Sequence, residues 1–136
     1  MKKVILSVIF SMIFSSVLFA YRTEGRHVQG KAQAANGSAD AAVIGAPNTG
    51  TAIKLKSAVC AVEIAATGGN GELALENGVN GTRIVEVDAD AVGVFSFNFG
   101  DEGYILSSAT LLNVTVDGAV TTQATGSCTA VGEVIS

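Results

Sequence analysis

From residue 40 onward, apolar side chains recur at every second position in short runs. Clusters of glycine, asparagine and aspartate separate the runs at close spacing. Residues 41–46 (AAVIGA) read as a short strand, and Pro47-Asn48-Thr49-Gly50 as the turn after it. Residues 51–66 (TAIKLKSAVCAVEIAA) form a long strand that bends or changes partner midway, closed by the loop 67–71 (TGGNG). Residues 72–76 (ELALE) place Leu73 and Leu75 on one face, and 77–81 (NGVNG) supplies turn chemistry. In 82–91 (TRIVEVDADA), Val85, Val87 and Ala89 face one way. Glu86, Asp88 and Asp90 face the other, with Ile84.

The run 92–99 (VGVFSFNF) sets Phe95, Phe97 and Phe99 on one side. The other three phenylalanines fall within residues 4–19, so this strand is expected at the middle of the core. A turn at 100–103 and a short strand at 104–106 follow. Residues 109–117 (ATLLNVTVD) carry Leu112, Val114 and Val116 inward, and Asp117-Gly118 signals a hairpin into a last strand at 119–131, with Gly126 as a bulge. No apolar stripe at helical spacing persists past residue 20. The fold class is therefore all-β: roughly eight strands over about ninety residues, packed as a two-sheet jelly-roll sandwich.

The first twenty residues differ in kind. Lys2 and Lys3 precede an apolar run from Val4 to Phe19, and Ala20 precedes the polar stretch YRTEGRH. This layout predicts a secretory signal helix over 1–20, cleaved between Ala20 and Tyr21; an uncleaved membrane anchor is the alternative. Residues 21–39 are small and polar without a sustained period, and read as a flexible arm holding Arg22, Arg26 and His27. The sandwich domain then spans 40–136.

Apolar residues make up 49% of the chain and charged residues 15%, which excludes a disordered composition. Without Lys2 and Lys3, six basic residues face twelve acidic ones, a formal −6 that argues against a nucleic-acid partner. Both cysteines, Cys60 and Cys128, lie after the signal segment, and an even count in an exported chain predicts a disulfide between them. A jelly roll brings early and late strands together, which suits that pairing.

Chemistry is hard to find. His27 has no serine or cysteine motif beside it, no metal-ligand spacing occurs, and no glycine cluster opens a helix as a phosphate loop. No catalytic, metal or cofactor site is therefore assigned. Glu86, Asp88 and Asp90, about 7 Å apart at alternate strand positions, could hold calcium with Asp101 or Glu102. A solvated strand face that discourages edge pairing is the preferred reading. Asn36, Asn80 and Asn113 begin glycosylation sequons.

Four stretches carry a family resemblance: DAAVIGAPNTGTAIKLKSAV, GELALENG, VDADAVGVFSFNFGDEGYILSS and ATLLNVTVDGAVTTQATGSCTAV. From Asp40 to Val131 they resemble small jelly-roll domains of bacteriophage and metagenomic sequences, similar in fold to trimeric tumour-necrosis-factor-like knobs. The resemblance implies a homotrimeric virion decoration, fibre or knob protein. The signal segment and paired cysteines point instead to a cell's exported surface protein. Either way the expectation is a non-enzymatic, self-associating structural or adhesive protein, secreted, on a cell surface or on a capsid. One alternative is a filament or pilus subunit that donates residues 21–46 as a strand. Another is a carbohydrate-binding module, for which the chain offers only Tyr21 and Tyr104 besides its phenylalanines.

Overall fold

The structure, a computed structural model, describes residues 25–36, 40–68, 70–118 and 123–136. The expected signal helix, the cleavage site at Ala20 and Tyr21, and Arg22 lie outside the described residues. Within them the chain is all-β and contains no helix. Nine strands run in chain order: β1 (Arg26–Ala35), β2 (Ala41–Ile44), β3 (Ala52–Ile64), β4 (Glu72–Asn77), β5 (Thr82–Asp88), β6 (Gly93–Asn98), β7 (Tyr104–Ile105), β8 (Leu112–Asp117) and β9 (Thr125–Ile135).

They form two antiparallel sheets. The first has the order β1-β9-β3-β6, with β7 also paired to β3; the second has the order β2-β8-β4-β5. Each inner face contributes its alternate apolar side chains to one core. Ile53, Leu55, Leu75, Leu112, Val114 and Cys128 are fully buried there. Inward positions on β3 switch from Ile53 and Leu55 to Ala58, Cys60 and Val62. The cause is a bulge at Lys56: Leu55 pairs Gly132, but Ser57 pairs Val131. One extra residue reverses which parity faces the core. The long strand also changes partner along one edge, from β7 at Lys54 and Leu55 to β6 from Ser57 to Val62.

Four expectations need correction. The 21–39 segment is not an arm throughout: Arg26–Ala35 is a ten-residue strand, paired with β9 along its whole length. Its inward positions are Val28, Gly30, Ala32 and Ala34, so alternation is present but carried by small residues. Gly30 is required there, because a Cβ would stand 1.7 Å from the Val43 carbonyl oxygen where β1 crosses β2.

The phenylalanine strand is not central. β6 ends its sheet, and Phe95, Phe97 and Phe99 are half-buried, packed against the core from its rim. Asp117-Gly118 does not make a hairpin, since β8 pairs with β2 and β4 while β9 lies in the other sheet. Finally, the irregularity near Gly126 belongs to β3: Val62 pairs Gly126 and Ile64 pairs Thr125, leaving Glu63 as the extra residue. Gly126 itself sits against the Leu73 methyls, where a Cβ would come within 2.8 Å.

Candidate functional site

Three regions bear on function: a charged face, the buried cysteine pair and an apolar rim. The first is the outer face of β4, β5 and β8. A bulge at Ile84 sets it up: Leu75 pairs Val85, but Glu76 pairs Arg83. Ile84 is therefore freed to pack against the core, contrary to its expected place among the acids. The Arg83 guanidinium donates to Glu72 Oε2 at 2.6 Å, to Asp117 Oδ2 at 2.8 Å and to Glu86, and lies 3.8 Å from Glu76 Oε1. These hydrogen bonds hold the arginine firmly protonated, with its pKa raised. Arg83 is the last cation in the chain, and it neutralises a face that would otherwise repel itself.

Glu76 is 5% exposed and Asn113, its pair across β4 and β8, is 1% exposed. Glu76 Oε2 and both amide atoms of Asn113 make no hydrogen bond. Burial pushes the Glu76 carboxyl above the usual carboxylate range, helped by Asp40 and Asp117; Arg83 and the nearby Asn113 amide oppose the rise only in part. The sign of the stability effect follows. A carboxyl with a raised folded-state pKa favours folding below its unfolded value, and that contribution is lost as pH rises through the folded value. Glu76→Gln is therefore expected to stabilise the protein at neutral pH by about 1 kcal/mol, since it removes a buried charge that Arg83 compensates only in part. Wild type and variant converge below about pH 4.5, the ordinary value for the group. Urea melts at pH 7 and pH 4 check this; a variant less stable at pH 7 would contradict it.

Beside this face, an open pocket of about 230 Å³ is lined by Asn70, Gly71, Glu72, Glu86, Val87, Asp88 and Asp90. It contains the Glu86, Asp88 and Asp90 set, but the carboxylates already have work. Asp88 Oδ1 accepts from the Asp90 amide, Asp90 Oδ1 accepts from the Gly71 amide, and Glu86 is held by Arg83. Asp101 and Glu102 lie in the turn after β6 rather than on this face. Among the described residues, no group of three histidine, cysteine or acidic side chains is arranged to hold a metal ion. His27 is exposed on β1.

The second region is internal. Cys60 on β3 and Cys128 on β9 are directly paired, with Cα atoms 4.1 Å apart, and are joined by a disulfide. Both are buried, so the bond staples two central strands from the core side. Tyr104 is half-buried and tilted against Phe99 at 6.5 Å between ring centroids. Tyr21 lies outside the described residues. Of the sequons, Asn113 is buried in β8 and closed to modification, while Asn36 donates its side-chain amide to the Gly118 carbonyl.

The third region is the β3–β6 rim. Val59, Ile64, Val92 and Val94 are large apolar residues exposed to solvent. Val59 pairs Ser96 and Ala61 pairs Val94 on the outer face, so Val59 and Val94 are diagonal neighbours. This rim was not singled out in the sequence, although the lack of charge across 91–100 is a readable signal.

No protein-family model matches the chain, and no curated protein sequence does. Several solved structures are similar. The Yersinia pseudotuberculosis-derived mitogen is 12% identical with a TM-score of 0.33, over 79% of this chain and 86% of its own. Tobacco streak virus coat protein is 12% identical with a TM-score of 0.35, over 81% and 87%. A structure of Bacillus endospore appendages, described as disulfide-linked pili, is 19% identical with a TM-score of 0.30, over 79% and 89%. Overlap this loose carries no functional argument, and none of these three is named as a tumour-necrosis-factor-like domain.

Proposed function

We propose that this chain is an exported, non-enzymatic structural protein that associates with itself as a subunit of a virion or cell-surface assembly. In this reading the strand order is a jelly roll. Support comes from the way the chain crosses between sheets at every step except β4 to β5 and β6 to β7, giving β1-β9-β3-β6 on one side and β2-β8-β4-β5 on the other. The domain begins with β1 rather than at residue 40. A signal segment over 1–20, cleaved after Ala20, delivers it to an oxidising compartment, and the buried Cys60–Cys128 bond suits that destination.

The observation that carries the proposal is the apolar β3–β6 rim. Val92 and Val94 are 69% and 70% exposed, beside the exposed Val59 and Ile64. Large exposed apolar side chains gathered along one rim, on a chain otherwise rich in acids, suit a contact site. Strand donation by residues 21–46 is not proposed, because β1 and β2 are already paired with β9 and β8 of their own chain. The partner is a second copy, in a homotrimer or larger assembly, with a capsid or cell surface as the setting.

Multi-angle light scattering on residues 21–136, purified from an oxidising compartment, tests this. Concentration-dependent multimers are expected. A strict monomer up to millimolar concentration would overturn the proposal.

A further inference from the structure

Five strands lie at sheet edges, and four of them are protected, the two-residue β7 by its shortness. β1 carries Arg26, His27 and Lys31. β5 carries Arg83, Glu86 and Asp88 and is kinked by the Ile84 bulge. β2 is only four residues long, is bulged, and is crossed closely by β1 where Gly30 meets Val43. Charge, bulges, shortness and cover are the devices that keep sheet edges from pairing. β6, Gly93-Val94-Phe95-Ser96-Phe97-Asn98, has none of them. It has no charge, no proline and no bulge, and it is rich in residues that favour strands. Among the described residues no strand pairs with its outer edge.

The backbone groups on that edge can be assigned. The Phe99 amide donates to the Lys56 carbonyl at 3.0 Å, so the odd positions of β6 point their N–H and C=O toward β3. The Cys60–Cys128 Cα separation of 4.1 Å agrees: it marks a non-hydrogen-bonded pair on the β9 side, which turns the Cys60 backbone toward Phe95. Val94, Ser96 and Asn98 therefore present their backbone donors and acceptors outward.

We infer that β6 pairs antiparallel with β6 of a second copy across a two-fold axis at Ser96, joining two first sheets into one. The inference rests on the self-association reading above and specifies its contact. The register follows from the strand. Only with Ser96 opposite Ser96 do all three outward residues find partners within the strand, Val94 facing Asn98 and the reverse. Phe95 then faces Phe97 of the partner subunit at a non-hydrogen-bonded pair, where side chains approach most closely. The half-buried aromatic rim of each copy covers that of the other. Neither edge brings a charge, which matters for two chains that each carry an acidic excess.

An isologous contact of this kind closes on two copies. It selects dimers, or larger assemblies built from dimers, over a simple trimer. A six-residue strand pair is small, about 20 Å long, so the isolated contact belongs to the weak class of interfaces.

The test compares wild type with Ser96→Pro and Val94→Lys by sedimentation equilibrium from 10 µM to 1 mM. Proline at 96 removes an outward N–H that β3 does not use, a position where edge strands tolerate it; lysine at 94 adds an edge charge. Each change occurs twice in the contact, so the dimer dissociation constant is expected to rise at least ~100-fold. Far-UV circular dichroism and the melting temperature should stay close to wild type. Two further variants read the register. Ser96→Cys should form a disulfide-linked dimer in a glutathione buffer far faster than Val94→Cys, because residue 96 faces itself and residue 94 does not. If wild type assembles and both edge variants assemble equally well, the β6 contact is overturned while the self-association reading stands. If the two cysteine variants cross-link alike, the register is wrong. A wild type that stays monomeric throughout overturns both.

Discussion

Replacing Cys60 and Cys128 together by alanine is expected to cost about 4 kcal/mol of folding stability. The bridge closes a loop of 68 residues. Constraining an unfolded chain over that distance removes loop entropy equivalent to about 4 kcal/mol in the chain-entropy treatment. Both sulfurs lie in the core, so truncation to alanine also opens a small cavity and adds to the loss. The effect is large against the 5–15 kcal/mol that is usual for a domain. The bond also holds a register. β3 and β9 pair with two bulges, at Lys56 and Glu63, which fix the register at each end of the segment between them. A covalent link at Cys60 and Cys128 pins that segment. Urea denaturation of the double variant should show a midpoint well below that of wild type. Because both sulfurs are buried, dithiothreitol added to the native protein should reduce the bond only at the rate of unfolding. A double variant within 1 kcal/mol of wild type would show that packing alone holds the two central strands.

Much of this sandwich was legible in the chain. The runs from 41 to 117 became strands with close to their expected limits, because their inward residues are valine, leucine and isoleucine and their breaks are glycine and asparagine turns. The turn at 77–81 illustrates the physics: Gly78 and Asn80 adopt positive φ of 92° and 50°, which those residues accept at low cost. What failed was of two kinds. β1 was hidden because Val28, Gly30, Ala32 and Ala34 alternate against His27, Gln29, Lys31 and Gln33 with hardly a large side chain among them. Counting alanine and glycine as inward residues would have exposed the period. The placing of β6 failed for a different reason. Alternation shows which face of a strand is apolar, but strand order decides whether that face lies at the centre or the rim, and order depends on long-range pairing. For the polar face, Glu86, Asp88 and Asp90 were visible as a set. The hub that ties Glu86 to Glu72 and Asp117 was not, since the Ile84 bulge that aims Arg83 is a tertiary feature. The isolation of Arg83, with no later cation in the chain, was the available hint.

The segment that the pattern concealed is also where the second large effect is expected. Gly30→Ala should destabilise the protein by about 3 kcal/mol, at the upper end of the cost of overpacking. An alanine Cβ at this position would stand 1.7 Å from the Val43 carbonyl oxygen and 2.8 Å from its carbon. The obstacle is backbone, so no side-chain rotation relieves it. β2 cannot retreat freely, because Val43 and Ile44 are buried in the core and β2 is hydrogen-bonded to β8. The strain must therefore fall on β1, which would lift from the corner where the two sheets meet. A linker glycine would predict the reverse: alanine there lowers the entropy of the unfolded chain and is neutral or slightly stabilising. The two readings of residues 26–35 thus differ in sign for one methyl group. Gly25 is a poor control because it is also crowded, by the Val134 carbonyl oxygen at 2.7 Å, whereas Gly45 has open space around its missing Cβ. A melting series on Gly30→Ala and Gly45→Ala separates the cases. Loss at 30 with little change at 45 identifies β1 as an integral strand of the first sheet. Amide exchange supplies the mechanism, since protection should fall along β1 and at its partners on β9, from Thr125 to Val134, before it falls in β3. Equal and small effects at both glycines would mean that β1 is not held against β2.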